Sequence, residues 1–202
     1  WDAIINQDRV IRSLTRAVER DRIAHALLFD GPLGVGKRAV ALEYAKVLQC
    51  ERAQPEACGS CIGCTKVARG VHPDIHVLLP HPSDVDEEEI GERIRLLSRR
   101  PYAETDFTRR PSLSDPTESS NKQSIYRVDR IRELQQTLSY KTHEGRYKVA
   151  IMTEADRMRT EAANAFLKLL EEPPPRTVLI LTTHRPDQLL PTILSRCQQL
   201  RF

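Results

Sequence analysis

Gly31-Pro32-Leu33-Gly34-Val35-Gly36-Lys37 joins an apolar run, Ala26-Leu27-Leu28-Phe29, to a stretch where Ala39, Val40, Leu42, Ala45, Val47 and Leu48 recur at helical spacing. A buried strand, a glycine turn and a helix in that order form the context that gives a phosphate-binding loop its meaning. Glycines let backbone N–H groups turn inward on a phosphate. The helix start adds partial positive charge and Lys37 a full one. The plainer alternative is a glycine-rich turn with a solvent lysine, and the complete spacing weighs against it. Gly31, Pro32, Gly34, Val35, Gly36, Lys37 and Arg38 are therefore candidate contacts for ATP or ADP. The last of these breaks the pattern, because the loop calls for Ser or Thr there to ligate Mg²⁺. A guanidinium has only donors and a permanent charge, so Arg38 cannot ligate a cation.

Further elements follow the same alternation. Val10, Ile11, Leu14 and Val18 predict a first helix, and residues 75–79 a second strand stopped by Pro80 and Pro82. Val128, Ile131, Leu134 and Leu138 predict another helix, residues 149–152 a third strand, and Thr160 caps a helix through Ala163, Phe166, Leu167 and Leu170. Residues 178–182 make a fourth strand and 189–194 a short helix. This order predicts an α/β fold, a parallel sheet with helices on both faces. Residues 81 to about 124 differ, with acidic 84–89 and a Ser-, Thr- and Pro-rich 106–122. They read as a flexible surface insertion with a short helix near 90–97.

The third strand leads into Thr153-Glu154-Ala155-Asp156, the natural second nucleotide element. Asp followed by Glu is the usual pair there, with Asp holding the metal. Here Thr153 stands first, which leaves Glu154 to orient a water. Both groups expected to hold magnesium are thus altered, which makes Mg²⁺ doubtful. Read without function, Glu154 and Asp156 are charges favoured by a helix start.

Of five cysteines, Cys50, Cys58, Cys61 and Cys64 lie within fifteen positions. Two gaps have the x2 spacing of zinc knuckles, and Gly59 and Gly63 permit tight turns. Four thiolates suit a closed, structural Zn²⁺ site, with an iron–sulfur cluster as the alternative. His72 and His76 are near enough in sequence to substitute as ligands. The chain has 202 residues, 40% hydrophobic and 29% charged, with a net charge of +3. That suits one soluble domain, and permits nucleic-acid contact without arguing for it. Apolar runs such as 24–29 and 178–181 are too short to cross a bilayer, and the start carries no signal core, so the expected location is cytoplasmic. A start at Trp1 and an abrupt end at Phe202 read as a piece of a longer protein.

Taken together, Arg22-Ile23-Ala24-His25-Ala26-Leu27-Leu28-Phe29 before the loop, the four-cysteine module, Asn164-Ala165-Phe166-Leu167-Lys168-Leu169-Leu170-Glu171-Glu172-Pro173 and Leu194-Ser195-Arg196-Cys197 resemble the gamma/tau and delta-prime subunits of the bacterial DNA polymerase III clamp loader. The resemblance covers roughly 1–80 and 125–202. It implies an AAA+ P-loop domain over 1–202 with an inserted zinc module at 50–64, followed in the family by lid and collar domains. It also implies that Arg196 is an arginine finger acting in trans on a neighbour's ATP site. Thr182 or Thr183 would sense phosphate, with Thr183 carried as the site residue, and Gln7-Asp8-Arg9-Val10 would line the adenine pocket.

Motor subunits of the gamma type keep the Lys-Ser/Thr and Asp-Glu pairs. This chain has Lys37-Arg38 and Thr153-Glu154 while keeping Arg196, the pattern of a delta-prime-like stator with weak or absent hydrolysis. The partners this implies are the gamma/tau and delta subunits, with the sliding clamp and primer–template DNA reached through the complex, and no membrane. An active gamma/tau-type ATPase using Glu154 is the first alternative. A zinc-dependent nucleic-acid-binding P-loop protein is the second, weakened by the mild charge and the lack of aromatic–basic interleaving near the cysteines.

Overall fold

Strands that lie parallel need crossover connections, and the helices in those crossovers cover both faces of the sheet. That requirement organises this chain. The computed structural model describes residues 1, 4–115 and 123–202. In chain order the elements are α1 (Asp8–Glu19), β1 (Ala26–Asp30), α2 (Lys37–Gln49), α3 (Ile62–Arg69), β2 (Ile75–Leu78), α4 (Glu87–Arg99), α5 (Val128–Ser139), β3 (Lys148–Met152), α6 (Thr160–Glu171), β4 (Thr177–Thr183), α7 (Pro191–Leu194) and β5 (Gln198–Arg201). The five strands run in the order β2-β3-β4-β1-β5, every neighbouring pair parallel. No helix among the described residues is long and apolar enough to cross a membrane.

Successive strand residues point to opposite faces, and the two halves of the core follow that alternation. Leu27, Phe29, Val149, Ile151, Val178 and Ile180 meet Val10 and Leu14 of α1 and Val40, Tyr44 and Leu48 of α2. On the other face, Leu28, Ala150, Met152, Leu179 and Leu181 meet Ile131 and Leu138 of α5 and Phe166 and Leu170 of α6. Four strands match the apolar runs. The fifth, β5, is polar in sequence and pairs with β1 through its main chain.

Several local expectations change. Thr160 is the first residue of α6, and Arg159 holds the cap position without a side-chain cap bond. The helix expected over 189–194 begins only at Pro191, whose missing N–H is harmless in a first turn. Residues 81–115 are not a loose excursion. Helix α4 is longer than 90–97, and Asp86 caps it by accepting the Glu89 N–H. Its Arg93 is fully buried, stacks 3.8 Å over Phe107 and donates to the Arg110 and Pro111 carbonyls at 2.7 and 2.6 Å. Residues 116–122 of the expected insertion lie outside the described residues.

The entry to β2 is fixed by one carboxylate. Asp74, 1% exposed, accepts the backbone N–H groups of His143, Glu144 and Gly145 at 2.7, 3.0 and 2.7 Å. Burial alone would raise its pKa. The three donors outweigh that and hold it below the usual carboxylate range. Gly145 is required there, because a Cβ would come within 2.3 Å of Gln49 Oε1, which accepts the Arg146 N–H. Asp74→Ala should therefore lose roughly 3 kcal/mol of stability in urea unfolding, because it removes three charge-assisted hydrogen bonds made by a buried carboxylate.

Candidate functional site

The glycine loop leaves the C-terminal end of β1 and turns into α2, so Gly34, Val35, Gly36, Lys37 and Arg38 line a cleft with Glu154, Thr182 and Thr183 from the ends of β3 and β4. Gly36 has φ +98°, a conformation open to glycine, and a Cβ there would lie 3.4 Å from the Tyr102 ring. Gln7, ahead of α1, donates to the Val35 carbonyl at 2.9 Å. The Lys37 ammonium folds back on the loop and donates to the Gly31 and Pro32 carbonyls at 2.6 and 2.5 Å. Burial, and then the neighbouring Arg38, lower its pKa to about 8.

Arg38 extends away from the loop. Its guanidinium donates to Thr105 Oγ1 at 3.0 Å and to the Ala103 carbonyl at 3.2 Å. Thr153, buried at the end of β3, turns its hydroxyl toward the Leu78 carbonyl, 3.4 Å away. Glu154 adopts a left-handed backbone, φ 50°, and its carboxylate lies 2.9 Å from Arg157 and 3.5 Å from Arg109. Burial, and then Asp106, push its pKa up against those two arginines. Asp156 is also buried, in the single 3-10 turn Ala155–Arg157 that follows β3. It accepts from Thr183 Oγ1 at 2.6 Å and from Arg185 at 3.0 Å. Thr182 Oγ1 accepts the Glu154 N–H at 3.3 Å, so both threonines hold positions at the cleft.

The segment expected to be a surface excursion supplies the cleft's outer wall. Pro101, Tyr102 and Arg109 face the glycine loop. Asp106 secures them, receiving Arg157 through both carboxylate oxygens at 3.1 and 2.7 Å and the Thr108 hydroxyl at 2.7 Å. The space left is about 80 Å³, against the roughly 300–1,000 Å³ of pockets that take small ligands.

The cysteine cluster forms a second constellation beyond α2. The sulfurs of Cys50, Cys58, Cys61 and Cys64 all lie within 4.8 Å of one another. A tetrahedral metal with bonds of about 2.3 Å sets neighbouring sulfurs about 3.8 Å apart, so these four cysteines could hold a metal ion with small adjustment. Backbone N–H groups of Cys58, Cys61 and Cys64 point at the sulfurs of Cys50, Cys58 and Cys61, each at 3.4 Å. Backbone bonds from Ser60 and Cys61 lower Cys58 to about 5, whereas burial raises Cys64. Gly59 does provide a positive-φ turn, but Gly63 serves close approach instead, since a Cβ would meet the Gln49 carbonyl at 2.4 Å. His72 takes no part in the cluster, because its Nδ1 accepts the Asp74 N–H.

Residues 6–202 match the family described as DNA polymerase III, delta subunit. The chain belongs to that family. It is 33% identical to DNA polymerase III subunit delta-prime of Bacillus subtilis over 97% of this chain and 47% of that protein. It is 38% identical to the delta-prime subunit of Pseudomonas aeruginosa over 89% of this chain and 43% of that protein. The tau subunit of Bacillus subtilis is 29% identical over the whole chain. The chain thus spans under half the length of its delta-prime relatives. Among solved structures, a gamma subunit-related protein of Thermotoga maritima superposes with TM-score 0.53 at 23% identity, covering 95% of this chain and 45% of that one. RuvB of Thermotoga maritima gives TM-score 0.50 at 15% identity, covering 98% and 45%. The fold is the AAA+ fold.

Within this member of the family, Arg196 stands apart from the cleft. It follows α7, pairs with Glu171 at 2.8 Å and donates to the Thr192 carbonyl at 3.1 Å. Tyr102, Asp106, Arg109 and Arg157 were not singled out by the sequence. Asp106 and Arg157 are 51 positions apart, and no local spacing marks such a pair.

Asp106 allows a direct check. Burial would raise its pKa, but Thr108 and Arg157 outweigh that and hold it below 3.8. Its stabilisation is complete above that value and is lost as the pH falls through the lower folded-state value. Asp106→Asn should cost roughly 3 kcal/mol near neutrality by removing the buried carboxylate that pairs with the half-buried Arg157. In urea unfolding, the gap from the parent should narrow as the pH drops below 3.8.

Proposed function

We propose that this chain is a delta-prime-like subunit of the replication clamp loader. It acts as a stator that hydrolyses nucleotide weakly or not at all and lends Arg196 to a neighbouring subunit's ATP site. The observation that carries this reading is the state of the phosphate end of the cleft. Arg38, where a magnesium-ligating hydroxyl is expected, is engaged with Ala103 and Thr105, and Thr153 replaces the metal-binding carboxylate. Glu154 is held by Arg157 and Arg109 and is not free to orient a water. Lys37 and the glycines keep the means to bind ATP or ADP once the 101–109 wall moves. The likeness to tau supports the alternative, a gamma/tau-type ATPase, but supplies neither missing magnesium ligand.

Arg196 sits at a surface where its pairing with Glu171 is exchangeable, since both side chains are partly exposed. A guanidinium there can stabilise charge developing on a phosphate across a subunit boundary. The partners on this reading are the gamma/tau and delta subunits, with the sliding clamp and primer–template DNA engaged by the assembly in the cytoplasm. The metal of the cysteine cluster is Zn²⁺ on this reading, since four thiolates closed to water suit a structural ion.

The reading is tested with the full-length chain assembled with partner ATPase subunits. The chain alone should show no magnesium-dependent ATP turnover. In an assembly where only the site facing Arg196 is active, Arg196→Ala should reduce turnover by at least about a hundredfold. Turnover from this chain's own site, abolished by Glu154→Gln, would instead make it a motor. For the metal, Cys61→Ser should lower both the bound zinc and the melting temperature. Retained zinc and an unchanged melting temperature would remove the structural role.

A further inference from the structure

Strand β2 is an outer strand of the sheet and pairs only with β3. Charged side chains, proline or a covering element usually protect such an edge. Residues Ile75–Leu78 contain no Lys, Arg, Asp, Glu or Pro, and all four are only half-buried. Helix α4 packs on one side of this edge and α5 on the other. Between them lies a groove of about 380 Å³. That volume falls within the roughly 300–1,000 Å³ of pockets that take small ligands, unlike the 80 Å³ of the nucleotide cleft. The groove shares no residue with that cleft, the cysteine cluster or Arg196.

The middle of the groove is apolar, walled by Val77, Ile90, Ile94, Ile125 and Leu134, and its two ends differ in charge. Toward the end of β2, Arg130 of α5 pairs with Glu133 at 2.9 Å and with Glu87 of α4, which ties the two helices together. Toward the start of β2 stands Arg95 of α4, packed beside Gly70. Arg95 is exposed and, among the described residues, has no ion-pair or hydrogen-bond partner. Its guanidinium folds back over Gly91, where a Cβ would lie 3.3 Å from Nη1. Glycine weakens a helix interior, and here it leaves room for this cation at the groove. Thr137, two turns beyond Arg130 on α5, and His76 of β2 also line the groove. Among the described residues, neither the Thr137 hydroxyl nor the His76 ring has a hydrogen-bond partner.

We propose that this groove binds a small amphipathic carboxylate, with its apolar body between α4 and α5 and its carboxylate on Arg95. The inference does not rest on the stator reading. A guanidinium fork matches carboxylate oxygens bidentately, and the Thr137 hydroxyl and the His76 ring offer further donors beside it. Charge sets the direction of the ligand, because Glu87 and Glu133 repel an anion from the far end. Apolar walls with a few polar groups at one end are what a small amphipathic molecule needs. An extended peptide added to the edge of β2 is disfavoured. Such a strand binds through main-chain hydrogen bonds, and β2 offers only four residues, a run of about 13 Å. Beyond it the line of the edge is taken by Ile125, whose N–H donates to the His81 carbonyl at 3.4 Å. The Arg130 ion pairs stand across the same end.

The test is titration calorimetry of the full-length chain with hexanoate, octanoate and decanoate, each kept below micelle formation. Every two-methylene extension should tighten binding by about tenfold. Arg95→Gln should weaken decanoate by at least about tenfold and leave the binding of decanol unchanged. Arg95→Lys should recover part of the loss. Ile94→Phe narrows the groove and should weaken decanoate and decanol alike. Thermal melts establish that the variants fold, and the exposed Arg95 keeps the test decisive if the Ile94 variant does not. No binding by the parent, or an affinity that ignores chain length, would overturn the proposal. So would decanol binding as tightly as decanoate, or an unchanged decanoate affinity in Arg95→Gln. Tighter binding of a valine-rich extended peptide that displaces decanoate would overturn it in favour of strand addition.

Discussion

A parallel sheet covered on both faces leaves little but its strand ends and edges for chemistry. In this chain the packing of α1 and α2 on one face and of α5 and α6 on the other takes up the sides of the sheet. What remains is the row of C-terminal strand ends, and the glycine loop after β1, Glu154 after β3 and the threonines closing β4 all gather there.

At the strand ends the dominant force is electrostatic. Lys37, Arg38, Arg109 and Arg157 bring four cations to a partly buried space, with Glu154, Asp106 and Glu104 arranged among them. Removed from water, such groups must be paired or hydrogen-bonded. The chain meets that need internally, with Arg38 joined to 103–105 and Arg157 to Asp106. In a nucleotide-binding loop, phosphate and magnesium would supply much of this compensation. Here the segment 101–110 supplies it, which links the Arg38 substitution to the narrowness of the cleft.

The cysteine module obeys a different rule. Its four sulfurs are brought together by short sequence gaps and by the Gly59 turn, and backbone N–H groups aimed at the Cys58 sulfur favour its thiolate. This arrangement needs little from the rest of the fold. It borrows the end of α2 for Cys50 and the first turn of α3 for Cys64.

Local information was enough for much of this. The loop, four strands, the main helices and the cysteine cluster were legible because strand and helix periodicity, glycine turns and x2 thiol spacing act over a few residues. Strand β5 was not, since Gln198-Gln199-Leu200-Arg201 has a single apolar residue, Leu200, and its extension depends on main-chain pairing with β1 and on Leu200 packing against the core. Nor could composition show that 81–115 folds onto the body. Its order depends on Arg93 beneath Phe107 and on Asp106 meeting Arg157, contacts between residues 14 and 51 positions apart. The sequence by itself therefore determined the parallel α/β alternation, the glycine loop followed by Arg38 instead of Ser or Thr, and the clustering of four thiols, each written in adjacent residues. The tertiary structure alone decided how full the cleft is and which groups neutralise Arg38, Arg109 and Arg157, because desolvation and charge pairing depend on distances in space and not along the chain.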